Sequence, residues 1–171
     1  DQEIASLKNS ISEMWALVHQ QLYNAGEAML TGDKELAYKV ISRERRVNAF
    51  ELKIDSDCED IIALYAPVAV DLRFVLAMYK INTNLERLGD FAESIARFAG
   101  NLPDGAPVDP KLIKETRVEE MLQELLSMLT LSQEAFEKES SEIASRIFLK
   151  DNLIDEINHN STKIIADYIE S

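Results

Sequence analysis

The chain has 171 residues, 46% of them hydrophobic and 29% charged, which is enough for one ordinary domain with a sizeable core and too apolar for a disordered chain. Its formal net charge is −13, with −5 over residues 1–100 and −8 over 101–171; that balance excludes ready binding to nucleic acid or anionic lipid and favours metal cations or a basic partner protein. The single cysteine, Cys58, excludes an internal disulfide, and no apolar run is long enough to span a bilayer.

Five glycines and four prolines are few for this length, and the abundance of Leu, Ile, Ala and Glu predicts long helices. The first runs from about Ile4 to Leu30, with Leu7, Ile11, Met14, Val18, Leu22 and Ala25 recurring at threes and fours. Gly32 stops it and Asp33 caps the next. The second helix reaches about Leu64, its buried face traced by Leu36, Val40, Val47, Phe50, Ile54, Cys58, Ile61 and Ile62. Ala66-Pro67 interrupts it, because proline lacks the helical donor and disfavours helix in the residue before it. The third helix runs from near Val68 to about Ala99, with Leu72, Val75, Leu76, Tyr79, Ile81, Leu85, Leu88, Ile95 and Phe98 on its apolar face.

Residues 101–110 hold three of the four prolines and read as a linker. Two further helices are predicted, from about Lys111 to Lys138 and from about Ser140 to Ile169. A shift of 107 residues, without a gap, lays the first two helices over these last two. Glu13-Met14 falls on Glu120-Met121, Leu22 on Leu129, and Val40, Val47 and Phe50 on Ile147, Ile154 and Ile157. The expected organisation is therefore a first unit over 1–100, a linker over 101–110 and an incomplete second repeat over 111–171. In the second repeat the counterpart of the third helix is missing. An apolar groove is expected in its place, one that a neighbouring chain could fill. The chain starts at Asp1 without methionine and is expected to be a fragment cut at both ends.

Two acidic pairs stand out. Glu51 with Asp55, and Glu86 with Asp90, are each spaced by about one helical turn and so project from one face. Glu51 and Asp55 lie 16 and 12 residues before Pro67, while Glu86 and Asp90 lie 19 and 23 after it. A hairpin at Pro67 would bring the pairs to comparable heights. Two readings stand side by side: solvated faces with ion pairs to Lys53 or Arg87, or four carboxylates converging on a cation. Gly89, inside the third helix, would permit close helix approach beside them. Asp71 and Arg73, just past the proline, either cap and ion-pair the third helix or contact a partner. Arg43, Arg45 and Arg46 read as ion-pairing residues interrupted by Glu44, and Cys58 as a packed thiol. His19 and His159 do not lie beside the acidic pairs in sequence. No phosphate-binding glycine loop and no triad arrangement can be read.

Three runs together resemble the PhoU family of phosphate-transport regulators. They are Arg46-Val47-Asn48 with Glu51 and Ile54-Asp55; Pro67-Val-Ala-Val-Asp71-Leu-Arg73; and Asn84-Leu-Glu86-Arg-Leu-Gly-Asp90-Phe-Ala-Glu-Ser-Ile-Ala96. The resemblance implies an all-α fold of tandem antiparallel three-helix bundles, the second truncated to two helices here. It implies a non-enzymatic, cytoplasmic regulator of phosphate uptake and phosphate-starvation signalling, in contact with a phosphate ABC transporter and a sensor histidine kinase. It implies a metal ion (iron, zinc, manganese or magnesium) on the family's acidic motif, which falls here on Glu51 with Asp55 and Glu86 with Asp90. Asp151 with Asp155 carries the motif in the second repeat. There the positions of Glu51 and Asp55 are taken by Asn158 and Thr162, so a second cluster is doubtful. No nucleic-acid partner is implied, and a homo-oligomer is possible. The alternatives are the soluble tail of a sodium–phosphate cotransporter and a carboxylate-bridged metal-dependent enzyme.

Overall fold

The computed structural model describes residues 2–104 and 107–171, and in 148–151 the backbone alone. Among the described residues there are six helices and no strand: α1 (Gln2–Thr31), α2 (Lys34–Tyr65), α3 (Ala69–Asn101), α4 (Pro110–Thr116), α5 (Val118–Lys138) and α6 (Ser141–Glu170). The all-α class expected from periodicity is the class observed.

Local chemistry sets the first two turns. Gly32 adopts φ 72° and its N–H closes on the Ala28 carbonyl at 2.9 Å, a left-handed stop that a side chain would strain. The Asp33 carboxylate then accepts from the Leu36 N–H at 3.0 Å and caps α2. At the second turn Ala66 takes φ 42°, and Pro67 and Val68 lead into α3. Val68 is the N-cap and offers no side-chain bond. Asp71 does not cap α3; it sits in the first helical turn, where a carboxylate is favoured by the helix dipole.

With such short connections, α1, α2 and α3 pack as an antiparallel three-helix bundle. Toward the Pro67 end its core is large: Leu7, Ile11, Met14 and Val18 of α1 meet Val47, Ile54 and Ile61 of α2 and Val75, Met78 and Leu85 of α3. Toward the other end it is built from Ala25, Ala28, Ala37, Ala92, Ala96 and Ala99 around Val40, which lets the backbones approach. Ile62, Leu76, Tyr79 and Phe98, expected on buried faces, are 40–52% exposed. The predicted apolar stripes of α2 and α3 are wider than the faces their neighbours cover.

The expected single helix over 111–138 is two helices. Arg117 breaks it with φ 56° and ψ 29°. Its guanidinium bonds Glu120 through two nitrogens, at 2.8 and 2.9 Å, and reaches Glu156 of α6 at 3.4 Å. The Thr116 carbonyl, freed by the break, accepts from the Ser161 hydroxyl at 3.3 Å. The left-handed residue is thus held by one local and one tertiary ion pair rather than by glycine or proline. α4 lies against α6, where Tyr168 donates to Asp109 at 2.9 Å. α5 and α6 pair with each other, and α5 rests on α1. Among the described residues no long third helix packs along both α5 and α6; the short α4 touches both, and Leu125, Ile165 and Ile169 stay exposed.

The α1–α5 joint is centred on Trp15, stacked on Phe136 with ring centroids 5.5 Å apart and planes 24° apart. Lys8 places its ammonium 5.5 Å from the Phe136 centroid and pairs with Glu139 at 2.9 Å. His19 and Thr130 share a hydrogen bond of 3.1 Å. Replacing Trp15 by alanine is expected to cost about 3 kcal/mol. A double-mutant cycle with Phe136→Ala, read by urea denaturation, is expected to return a coupling of about 0.5–1.5 kcal/mol; additive losses would show the two rings do not act together.

Candidate metal centre

The seam between α2 and α3 is set by one buried amide and one missing side chain. Asn82, fully buried on α3, donates from its amide nitrogen to the Glu51 carbonyl at 3.0 Å and to the Asp55 carboxylate at 2.8 Å. That pair of bonds locks the helix register and aims Asp55. One to two turns along, Gly89 faces α2. A Cβ there would lie 2.9 Å from Val47 Cγ1 and 3.7 Å from Glu44 Oε2. The glycine therefore permits the close approach expected of it, and the α3 backbone comes to rest against Glu44.

Glu44 is 5% exposed, and neither carboxylate oxygen has a hydrogen-bond partner. A buried carboxylate without a partner is costly. One oxygen each from Glu44, Asp90 and Glu93 lie within 4.8 Å of one another, the one such acidic trio among the described residues. Burial first, and then the charges of Glu93, Asp90 and Glu86, push the Glu44 carboxyl up to about 7. Glu51 is raised by burial, Asp55 and Asp90. Glu86 is raised by burial, by Asp90 through both its charge and a hydrogen bond, and by Glu51; neighbouring Arg87 opposes this. Asp90 thus stands in both halves of one acidic seam.

Of the four acids in the two sequence pairs, the structure places Asp90 in the tight trio. Glu51, Asp55 and Glu86 line the same seam and are coupled to it electrostatically. Asp155 is exposed on α6, and the Asp151 side chain lies outside the described residues. Asp71 is half-buried and Arg73 exposed, both near the Pro67 turn and away from the trio. Sequence reasoning missed Glu44, Glu93 and Asn82. The signal existed: Glu44 precedes Glu51 by seven residues and Glu93 follows Glu86 by seven, so each extends its acidic face by about two turns. His19 bonds Thr130 and His159 lines a separate hollow on α6, so neither joins the seam. The donors of the seam are all carboxylate oxygens, which suits a hard cation such as magnesium, manganese or iron, and zinc also accepts such donors.

The raised Glu44 carboxyl has a definite consequence for the metal-free protein. Between the ordinary glutamate value and about 7, the native state holds a proton that the unfolded chain has released. Stability therefore falls as pH rises through that window, by about 2–3 kcal/mol. Urea melts at pH 5 and pH 8 are expected to show the loss, and Glu44→Gln is expected to flatten it; an unchanged slope in the variant would place the proton elsewhere. Gly89→Ala gains about 1 kcal/mol of helix propensity but forces Val47 aside. Overpacking typically costs about 1–3 kcal/mol, so a net loss of up to about 2 kcal/mol is expected in the same assay.

The comparisons with known proteins bear on the family and the fold. The family model described as PhoU domain matches residues 11–99 and 118–171. A phosphate-specific transport system accessory protein PhoU homolog of Aquifex aeolicus (strain VF5) is 31% identical over 167 residues, covering 98% of this chain and 74% of the relative. The phosphate-specific transport system accessory protein PhoU of Escherichia coli (strain K12) is 34% identical over 167 residues, 98% of this chain and 68% of the relative. Among solved structures, a phosphate transport system regulatory protein PhoU from Streptococcus pneumoniae superposes with a TM-score of 0.86 at 28% identity, over 99% of this chain and 78% of that one. PhoU from Pseudomonas aeruginosa gives 0.90 at 25% identity, over 99% and 79%. The family match covers most of the chain, and with the shared fold it establishes that the chain belongs to the PhoU family.

Proposed function

We propose that the chain is a regulator of phosphate uptake and phosphate-starvation signalling that works in the cytoplasm by protein contact, with a metal ion held in the α2–α3 seam. Its partners in this reading are components of a phosphate ABC transporter and a sensor histidine kinase. The relatives named as accessory proteins of a phosphate-specific transport system support the first partner. In this reading the chain acts as a binding protein rather than an enzyme, as the naming of its relatives as accessory proteins supports. No helix among the described residues is long and apolar enough to cross a membrane, so contact with a transporter runs through its soluble parts. We further propose that residues 1–100 and 111–171 are two copies of one unit joined at 101–110. The exposed Leu125, Ile165 and Ile169 support self-association through α5 and α6.

One observation carries the metal: the buried Glu44 carboxylate, lacking any hydrogen-bond partner, faces Asp90 and Glu93. Like charges held this close repel, and a divalent or trivalent cation converts that repulsion into attraction to a common centre. Metal would then bind the folded hairpin and not the unfolded chain, and would raise its stability by mass action. Glu51, Asp55 and Glu86 would supply further oxygens along the same seam.

The test combines elemental analysis of purified protein with thermal melts. Added manganese or iron is expected to raise Tm by several degrees, a gain of about 2 kcal/mol or more at saturating metal. Glu86→Ala with Asp90→Ala is expected to abolish the gain while helix content by circular dichroism stays intact. Wild-type metal content and stabilisation in that double variant would reduce the acids to a solvated face. A pull-down with phosphate-transporter components tests the regulatory half separately.

A further inference from the structure

The α2–α3 turn exposes apolar side chains that its own bundle does not use. Leu64 is 74% exposed, Tyr65 58%, Val68 70% and Val70 74%. These are the last residues of α2, the N-cap of α3 and its first turn, so the four share one end of the bundle. Their backbone is held in an unusual shape, since Ala66 between them adopts φ 42°, a left-handed conformation that alanine rarely takes. Tyr65 is held in place by its hydroxyl, which donates to Glu3 of α1 at 3.3 Å. An exposed, contiguous and positioned apolar patch marks an interaction surface more often than a scatter of single residues does.

The surroundings say what chemistry the patch would accept. Two hollows flank Tyr65. One, of about 400 Å³, is lined by Leu64 and Ile61 together with Glu3, Asp57 and Asp60. The other, of about 240 Å³, is lined by Ile4, Pro67 and Val68 together with Glu3 and Asp71. No Lys, Arg or His lines either hollow among the described residues. The nearby Lys53 is paired with Asp57, and Lys8 with Glu139. Arg73 lies about 200° around α3 from Asp71 and one turn past Val70, so a single basic side chain borders the patch, on its Val70 side, against Glu3, Asp60 and Asp71 on the others. The patch is therefore apolar at its centre and acidic at its rim, in a protein of net charge −13.

We propose that this tip is a docking surface for a basic amphipathic helix of another protein. The apolar face of that helix would cover Leu64, Tyr65, Val68 and Val70, while its Lys or Arg residues meet Asp60 and Asp71. A second copy of this chain fits poorly, because it would press one acidic rim against another. An anionic membrane is repelled for the same reason. The inference rests on reading the chain as a protein that acts by contact. It is independent of the metal seam, so failure of one leaves the other standing.

The probe is a labelled synthetic 18-residue peptide with leucine at helical spacing and lysine elsewhere, titrated against the whole chain by fluorescence anisotropy. A scrambled peptide of equal composition is the control for non-specific attraction. The amphipathic peptide is expected to bind at least tenfold more tightly than the scrambled one. Val68→Ser with Val70→Ser is expected to weaken it at least tenfold. Asp60→Asn with Asp71→Asn is expected to weaken it several-fold and to reduce its salt dependence. Tyr38→Ser with Phe91→Ser, exposed apolar positions away from the tip, is expected to change it less than twofold. All six positions are surface or rim positions, and circular dichroism confirms the fold of each variant. Equal binding of the two peptides, or equal loss in the Tyr38/Phe91 variant, would overturn the proposal. So would a dimer in sedimentation, or flotation with phosphatidylcholine–phosphatidylserine vesicles, that disappears in the Val68/Val70 variant, because the occupant would then be a second copy or a lipid surface.

Discussion

The approach of α3 to α2 at Gly89 is the constraint on which the rest of the seam depends. With no side chain at that position, the α3 backbone settles against Val47 and Glu44. Glu44 is thereby shut away from water, which no helix-forming sequence needs and which its chemistry opposes. The alanine-rich core beyond it allows the same closeness toward the far end. The Asn82 amide fixes how far the two helices can slide, because its two bonds reach a backbone carbonyl and a carboxylate of α2 at once. Packing and electrostatics thus pull in opposite directions along one pair of helices. Packing wins, and the acidic charge it gathers is only partly neutralised, by the proton Glu44 keeps up to about pH 7 and by the Arg97 guanidinium on Glu93.

Such an arrangement makes hairpin stability and cation binding parts of one equilibrium. The acids that face each other come from both helices: Glu44, Glu51 and Asp55 from α2, and Glu86, Asp90 and Glu93 from α3. A cation in the seam would clamp α2 to α3 at a height fixed by Asn82, and deprotonation of the acids would tighten its hold. Protons and metal ions would compete for the same oxygens. The position of the seam also separates it from the Pro67 turn, where the exposed apolar side chains lie. On the proposed reading, ions would act along the side of the bundle and a partner at its end.

Much of this was legible in the residues. Leu7, Ile11, Met14 and Val18, read at threes and fours, are all fully buried, and Gly32 and Asp33 end one helix and begin the next as their chemistry requires. Gly89 beside the acids pointed correctly to close approach. Other features were not legible, for physical reasons. The break at Arg117 carries no glycine or proline; it is held by Glu120 and by Glu156, which is 39 residues away in sequence, and local propensity cannot report a tertiary ion pair. Ile62, Leu76 and Tyr79 satisfy the helical period yet stay exposed, because periodicity gives a face and not the width that neighbours cover. Glu44 hid among Arg43, Arg45 and Arg46, which suggested neutralisation; helical geometry turns those arginines away from it. Asn82 gave no local signal, because its two partners, Glu51 and Asp55, lie 31 and 27 residues away in sequence.

Trp15 is the one tryptophan of the chain, and it lies at the joint between α1 and α5 instead of deep among α1, α2 and α3. Its indole N–H is buried without a protein acceptor, and its ring is covered by Phe136. The ultraviolet emission of this protein therefore arises at the seat of the α5–α6 pair. Undocking of that pair would wet the indole and shift the emission to longer wavelength while the three-helix bundle stayed folded. The chain thus carries its own optical gauge of whether α5 and α6 stay docked on α1, distinct from any signal of global unfolding.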